Sequence, residues 1–254
     1  MLKAERLEVI KKLAKENEII SWEDLRSHLY ASKATIWRDV EELEARGLAE
    51  KVRGGVAFPR KDRMETPNEV RRYFNPEAKV SIARKALSYI SDNDFIMLDS
   101  GSTVLELAKQ IPEEMNIGIV TYYYETARAV SALKNSEVFL LGGELRKGFD
   151  TVHGYMAEKM LESFHARTCF LGADGVDIEN GLTSFNSMDV PLKQRMIEQS
   201  DQVILLCDHS KFEIQGFVHI APVEKADIII TDPAADEHMI RALQEKNVKV
   251  VIAD

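Results

Sequence analysis

The stretch SWEDLRSHLYASKATIWRDVEELEARG, residues 21–47, decides how the first part of the chain folds. Ser21 is followed three residues later by Asp24, close to the reciprocal Ser/acid pattern that caps a helix start. A short helix from Trp22 to Leu29 is expected, then a tight connection at Tyr30-Ala31. Ser32 is a good N-cap for the next helix, because its side-chain oxygen accepts an N–H that the first turn leaves unpaired. That helix runs to about Arg46 and stops at Gly47, a residue suited to the left-handed C-terminal cap. Ile36, Val40 and Leu43 fall at i, i+4 and i+7 and form one apolar stripe. The opposite face carries Ala34 and Arg38, flanked by Thr35 and Trp37, with Lys33 in the first turn.

Working outward, Leu7, Ile10, Leu13 and Ala14 recur at helical spacing, so residues 3–15 read as a helix. Ile19-Ile20 is a short apolar bridge. LAEKVRGGVAF, residues 48–58, reads as two short strands around Gly54-Gly55, a two-residue hairpin signal, with Lys51 and Arg53 at its tip. Helix, tight turn, helix and hairpin make a winged helix-turn-helix over residues 1–58. In that arrangement the second helix of the motif enters the major groove of DNA. Arg pairs bidentately with guanine, Lys and Thr hold phosphates, and a wing places a cation on the backbone or in the minor groove. The candidate DNA contacts are Ser32, Lys33, Ala34, Thr35, Trp37, Arg38, Lys51, Arg53, Gly54 and Gly55. Three short helices and a hairpin also suit a dimerisation module, and spacing alone does not choose between the two.

Residues 59–78 hold Pro59, Pro67 and Pro76 among dense charges and read as a linker, with a helical turn around Glu69 to Phe74. From Lys79 to Asp254 apolar runs alternate with helical patterns. The runs are FIMLD (95–99), IGIVT (117–121), VFLLG (138–142), TCFLGA (168–173), VILLCD (203–208), DIIIT (227–231) and VKVVIA (248–253). They are apolar on both faces, as strands of a covered parallel sheet must be, so residues 79–254 read as an α/β domain.

Asp99-Ser100-Gly101-Ser102-Thr103 lies between a strand and a helix. Backbone N–H groups at a helix start, with hydroxyls beside them, make a cradle for an anion; the alternative is a plain cap by Ser102 or Thr103. Thr121, Gly142-Gly143, Gly172 with Asp174, and Asp208 with Lys211 close other strands, at the end of an open α/β sheet where ligands bind. Each of these loops on its own is also an ordinary turn. Lys193 and Arg195 sit on a helix and either balance a phosphate or face solvent.

The chain has 254 residues and a net charge of −9. Residues 1–63 carry 14 Lys+Arg against 12 Asp+Glu, and the remainder 19 against 30. The acidic excess therefore lies outside the first domain, and that asymmetry permits a DNA-binding head without showing one. No apolar run approaches the length of a membrane span, and the N-terminus threads charges through its apolar positions, so a cytoplasmic protein is expected. Cys169 and Cys207 sit in apolar runs, as buried core residues do. His28, His153, His165, His209, His219 and His238 show no metal-ligand spacing, so no metal and no cofactor are expected.

The run from Ser32 to Asp39, with Leu43, Gly47-Leu48 and Arg53-Gly54-Gly55, resembles the DeoR family of bacterial regulators. The family pattern reads Ser-x-x-Thr-Ile-Arg-Arg-Asp-Leu, then an Arg-x-His-Gly-Gly-Ala wing. Trp37 stands here for the first Arg of the pair, and Arg53 where His is usual. The body resembles the same family's sensor domain through Leu98 to Thr103, Leu141-Gly142-Gly143, Phe170 to Gly175, Gly181-Leu182-Thr183 and Asp208-His209-Ser210-Lys211-Phe212. His209 replaces the usual Ser. That domain is similar in fold to ribose-5-phosphate isomerase and binds phosphorylated sugars or their metabolic relatives. The resemblance implies that Ser100 to Thr103 hold a phosphate, and that Asp99, Asp174, Lys193, Asp208 and Lys211 meet hydroxyls or the phosphate. It implies a repressor of carbohydrate genes that binds double-stranded operator DNA as a homodimer or larger assembly, with no membrane partner. The alternatives are a sugar-phosphate isomerase with an appended domain and a protein-interaction module. Isomerases of this fold carry Gly-Ala-Asp-Glu where this chain has Gly172-Ala173-Asp174-Gly175, so the Glu position is Gly.

Overall fold

The computed structural model describes residues 1–17, 19–45, 49–58 and 65–254. The end of the third helix at Arg46-Gly47, Leu48 of the family pattern, and the first part of the expected linker lie outside the described residues. The chain divides into two compact units, Met1–Phe74 and Asn75–Asp254.

In the first unit, α1 (Lys3–Glu16), β1 (Ile19–Ser21), α2 (Trp22–Leu29) and α3 (Lys33–Ala45) are followed by β2 (Glu50–Val52), β3 (Gly55–Ala57) and a short helix α4 (Asn68–Arg71). Ser21 caps α2: its hydroxyl accepts from the Asp24 N–H at 3.0 Å and donates to the Asp24 carboxylate at 2.7 Å. Tyr30 ends the helix in left-handed backbone, φ 47°. Ser32 caps α3 in the same way, accepting from the Thr35 N–H at 3.3 Å. Ile36, Val40 and Leu43 are buried with Ile10, Leu25, Leu29 and Val56 in one apolar core. Asp39, on the buried side of α3, takes a two-pronged bond from the Arg6 guanidinium, at 2.6 and 3.1 Å, and so ties α1 to α3.

The hairpin differs from expectation by one residue. The turn is Arg53-Gly54, with Gly54 at φ +98°, and Gly55 is already the first residue of β3. The cause is β1: the expected apolar bridge is a strand, and it pairs Ser21 with Gly55 and Ile20 with Val56 in a sheet of order β1-β3-β2. Gly55 fits there because a Cβ would run into the Ile20 carbonyl oxygen. Lys51 is likewise not at the tip. It lies within β2, opposite Val56.

The second unit opens with α5 (Pro76–Leu87), so the stretch read as linker through residue 78 already carries the first turn of a helix, with Pro76 in that turn. Then follow β4 (Phe95–Leu98), α6 (Ser102–Gln110), β5 (Gly118–Thr121), α7 (Tyr124–Val130), β6 (Glu137–Leu140), the hairpin β7 (Glu144–Arg146) and β8 (Thr151–His153), and α8 (Tyr155–Leu161). The chain continues as β9 (Ala166–Leu171), β10 (Gly175–Asp177), β11 (Gly181–Ser184), α9 (Val190–Glu198), β12 (Ser200–Leu206), β13 (Val218–Ala221), β14 (Ile228–Thr231), α10 (Glu237–Glu245) and β15 (Lys249–Ile252).

All seven apolar runs become strands of one parallel sheet, in the order β15-β14-β12-β9-β4-β5-β6. Successive strand side chains point to opposite faces. Met97, Cys169, Leu171, Val203 and Leu205 therefore share a core with α8, α9 and α10. Ile96, Leu98, Phe170, Ile204 and Leu206 share another with α5, α6 and α7. Burial of the inner strands on both faces leaves no room for a polar alternation there, which is why their runs look continuously apolar; the edge strands β6 and β15 are less buried. From β4 the chain winds outward through β5 and β6, then returns to β4's other side with β9 and winds the opposite way. The β4–β9 junction is thus the switch point of the sheet, and in open α/β sheets ligands bind outside the carboxyl ends of the strands at such a point. Among the described residues no helix is long and apolar enough to cross a membrane.

Replacing Gly55 by Ala forces β1 and β3 apart. Loss of about 1–3 kcal/mol is expected, the usual cost of overpacking a close contact, read as a lower urea midpoint for the N-terminal unit. An unchanged midpoint contradicts the strand pairing.

Candidate functional site

The carboxyl ends of β4 and β9 bring Asp99 and Gly172 side by side. The Asp99 carboxylate is fully buried. One oxygen accepts from the Tyr122 hydroxyl, which follows the end of β5. The other accepts from the Gly172 N–H at 2.7 Å and from the Lys193 ammonium on α9. Lys193, itself buried, also donates to the Gly172 carbonyl at 3.0 Å. Ser100 donates to Tyr122 at 2.9 Å. Burial, with Asp99 and Asp189 close by, pushes the Tyr122 phenol well above its usual range, so Tyr122 stays a neutral donor.

Next along the loop, α6 begins at Ser102 with Gly101 as N-cap, and no side chain caps it. Neither Ser102 nor Thr103 serves as the cap considered above. The first-turn N–H groups of α6 are therefore not taken up by a capping side chain, and Ser102 and Thr103 lie beside them. Asp189, at the start of α9, is buried within reach of the Thr151 hydroxyl (3.5 Å) and the Arg146 guanidinium (4.0 Å). Burial raises the Asp189 carboxyl, against the pull of Lys193 and Arg146.

Other expected ligand residues lie elsewhere on the same edge of the sheet or hold the scaffold. Asp208, at the end of β12, is buried and accepts from Asn75 at 2.8 Å and from the Ser210 N–H at 3.0 Å. Burial alone would raise its carboxyl, but Lys211 and Lys79, with the hydrogen bonds from the Ser210 hydroxyl and Asn75, hold it below the usual range. His209 turns to Asp232, at 2.8 Å. Asp174 accepts from the Ser184 hydroxyl (2.9 Å) and the Phe185 N–H (3.0 Å), which pins the loop between β11 and α9. Thr121 accepts from the Tyr123 N–H at 3.2 Å. Gly142 is exposed at the end of β6, whereas Gly143 lets the backbone close on His153 and Val152 of the β7–β8 hairpin. Arg195 points to solvent and pairs with Glu198, so of the two α9 cations only Lys193 reaches Asp99. Tyr122, Asp189 and Arg146 were not foreseen. Tyr122 adjoins Thr121, but nothing in its run distinguishes it from a core aromatic. Among the described residues no cluster of His, Cys, Asp and Glu is placed to hold a metal.

In the N-terminal unit Lys33, Ala34, Trp37 and Arg38 are exposed along α3, with Thr35 half-buried. Arg53 and Gly54 are exposed at the turn, while Gly55 is buried. Lys51 is engaged by the acids of α3, 2.8 Å from Glu44 and 3.6 Å from Glu41, so it braces the hairpin against the helix rather than standing free. Trp37 stacks on Trp22 with ring centroids 5.1 Å apart.

Replacing Lys193 by Met leaves the Asp99 carboxylate buried without its cation. The second unit should lose about 3–5 kcal/mol, the usual cost of breaking a buried pair, and Asp99→Asn added to it should restore part. Urea unfolding measures both, and a neutral Lys193→Met would contradict the pairing.

Two family models match the chain: the DeoR-like helix-turn-helix domain over residues 6–62, and the DeoR C-terminal sensor domain over residues 74–233. The chain is 34% identical over 251 residues to the HTH-type transcriptional regulator GlpR of Haloferax volcanii, covering 99% of this chain and 98% of that one. It is 28% identical over 250 residues to the glycerol-3-phosphate regulon repressor of Escherichia coli K12, covering 98% and 99%. Among solved structures, ribose 5-phosphate isomerase A of Methanocaldococcus jannaschii aligns with 54% of this chain and 55% of its own, at 17% identity and a TM-score of 0.41. Matched along nearly its whole length, the chain belongs to the DeoR family of DNA-binding transcriptional regulators, with a helix-turn-helix domain followed by a sensor domain.

Proposed function

We propose that this regulator represses carbohydrate genes, and that a phosphorylated sugar bound at the β4–β9 switch point weakens its hold on the operator. The observation that carries the reading is the uncapped start of α6 beside Gly101, Ser102 and Thr103. A phosphate there would take the free N–H groups and the positive end of the helix dipole. Lys193, Gly172 and Asp99 would line the sugar side. Asp208 and Lys211 would extend the site along the sheet edge. A relative that is named as a repressor of the glycerol-3-phosphate regulon supports a phosphorylated effector. Exposed Lys33, Ala34, Trp37 and Arg38, with Ser32 and Thr35 at the helix start, would face the major groove, and Arg53-Gly54 would reach the backbone as the wing. Self-association into a dimer or larger assembly would match a two-fold operator. A regulator acting on operator DNA and a metabolic phosphosugar would work in the cytoplasm. Residues 1–58 would serve as the head, and the unit that opens at Asn75 as the sensor.

Binding without turnover is part of the proposal. Asp99 spends both oxygens on Lys193, Gly172 and Tyr122, which leaves it ill placed to act as a general base. Gly175 stands where isomerases of this fold have Glu, and a Cβ there would overlap the Ile214 carbonyl. Incubation with ribose 5-phosphate is expected to yield no ribulose 5-phosphate; enzyme-like turnover overturns this part.

An operator can be selected from random-sequence duplexes with the full-length protein, then titrated at fixed salt against a panel of phosphosugars. At least one should weaken binding about 5–150-fold, the ordinary range of allosteric coupling. No effect from any member contradicts the sensor reading. Arg38→Ala should cost about 1–3 kcal/mol of specific operator binding while phosphosugar binding is unchanged. Unaltered operator affinity would contradict α3 as the reading helix.

A further inference from the structure

Ala34, Trp37, Arg38 and Glu41 recur at helical spacing on the exposed face of α3, and with Lys33 they line an open, mainly apolar depression. Trp37 is 40% exposed, a large apolar surface to leave in water. Its ring is held from several sides. It stacks on Trp22 at 5.1 Å with the planes 23° apart, and the Lys51 ammonium lies 4.7 Å from the ring centroid. Its only hydrogen-bond donor, the indole Nε1–H, is spent on Glu41 at 2.8 Å. Trp37 thus has no polar atom left to read a base edge, and what it presents is a fixed apolar plate.

We propose that this plate, with the methyl of Ala34, receives the C5-methyl group of a thymine in the operator, which makes Trp37 a specificity-determining residue. The proposal rests on α3 entering the major groove. Lys33 and Arg38 border the depression and fit a polyanionic partner. In the major groove, the thymine methyl is the apolar group that a base pair offers. Because the ring is already immobilised, the contact costs little side-chain entropy. Trp37 therefore discriminates thymine from cytosine through the methyl group, while Arg38 supplies the polar readout beside it.

The test replaces each thymine of the selected operator, one at a time, by deoxyuridine, which removes the methyl and keeps the pairing. The full-length protein should lose about four-fold in affinity at one or two positions per half-site, the factor that burial of one methyl group implies. Trp37→Ala and Trp37→Arg should each bind the thymine and uracil forms of those positions equally. Indifference of the unaltered protein to every replacement overturns the proposal, whatever the variants do. So does discrimination that survives in both variants. Failure to select any duplex would instead count against operator binding itself.

Discussion

The buried carboxylate of Asp99 is the point on which the second unit depends. It sits where β4 and β9 part, and it gathers a hydroxyl from the end of β5, an N–H from the end of β9 and an ammonium from α9. An isolated charge at that depth would be prohibitively costly, so its partners must be in place for the sheet ends to close. The same bonds fix the direction in which the chain leaves β4. That direction sets where α6 starts, with no side chain capping it. Stability and the proposed phosphate site thus share one set of contacts.

The first unit has a counterpart in Asp39. Its bond to Arg6 anchors the inner face of α3 on α1, and the apolar stripe of Ile36, Val40 and Leu43 completes the packing. With the inner face fixed, the outer face presents Lys33, Ala34, Trp37 and Arg38 in a set orientation. The Trp22–Trp37 stack and the Lys51 brace hold the upper part of that face still. A reading surface prepared in this way spends less of its binding energy on ordering itself.

Much of this was legible in the residues. Seven apolar runs became seven strands, and the inner ones were plain to read because a strand buried on both faces has few polar choices. The stripe of α3 and the caps at Ser21 and Ser32 read correctly because each is a local rule. What escaped depends on distant pairing. The hairpin turn moved to Arg53-Gly54 because β1 draws Gly55 into the sheet, and β1 is only three residues long. Lys51 looked like a free cation until the acids of α3 folded against it. Asp99 looked like a ligand group, and only the tertiary structure brings Lys193, 94 positions away, onto it. Tyr122, which bonds Asp99, and the neighbouring Asp189 and Arg146 carry no signal in their own stretches of sequence.

The central claim is that effector and operator act on one equilibrium, and linkage then requires the effect to be mutual. The direct measurement is calorimetric. The affinity of the phosphosugar that most stabilises the protein is determined on the free protein and on the protein saturated with operator. The account predicts weaker phosphosugar binding in the presence of operator, by the same factor by which the phosphosugar weakens operator binding. Equal affinities in the two titrations would contradict it.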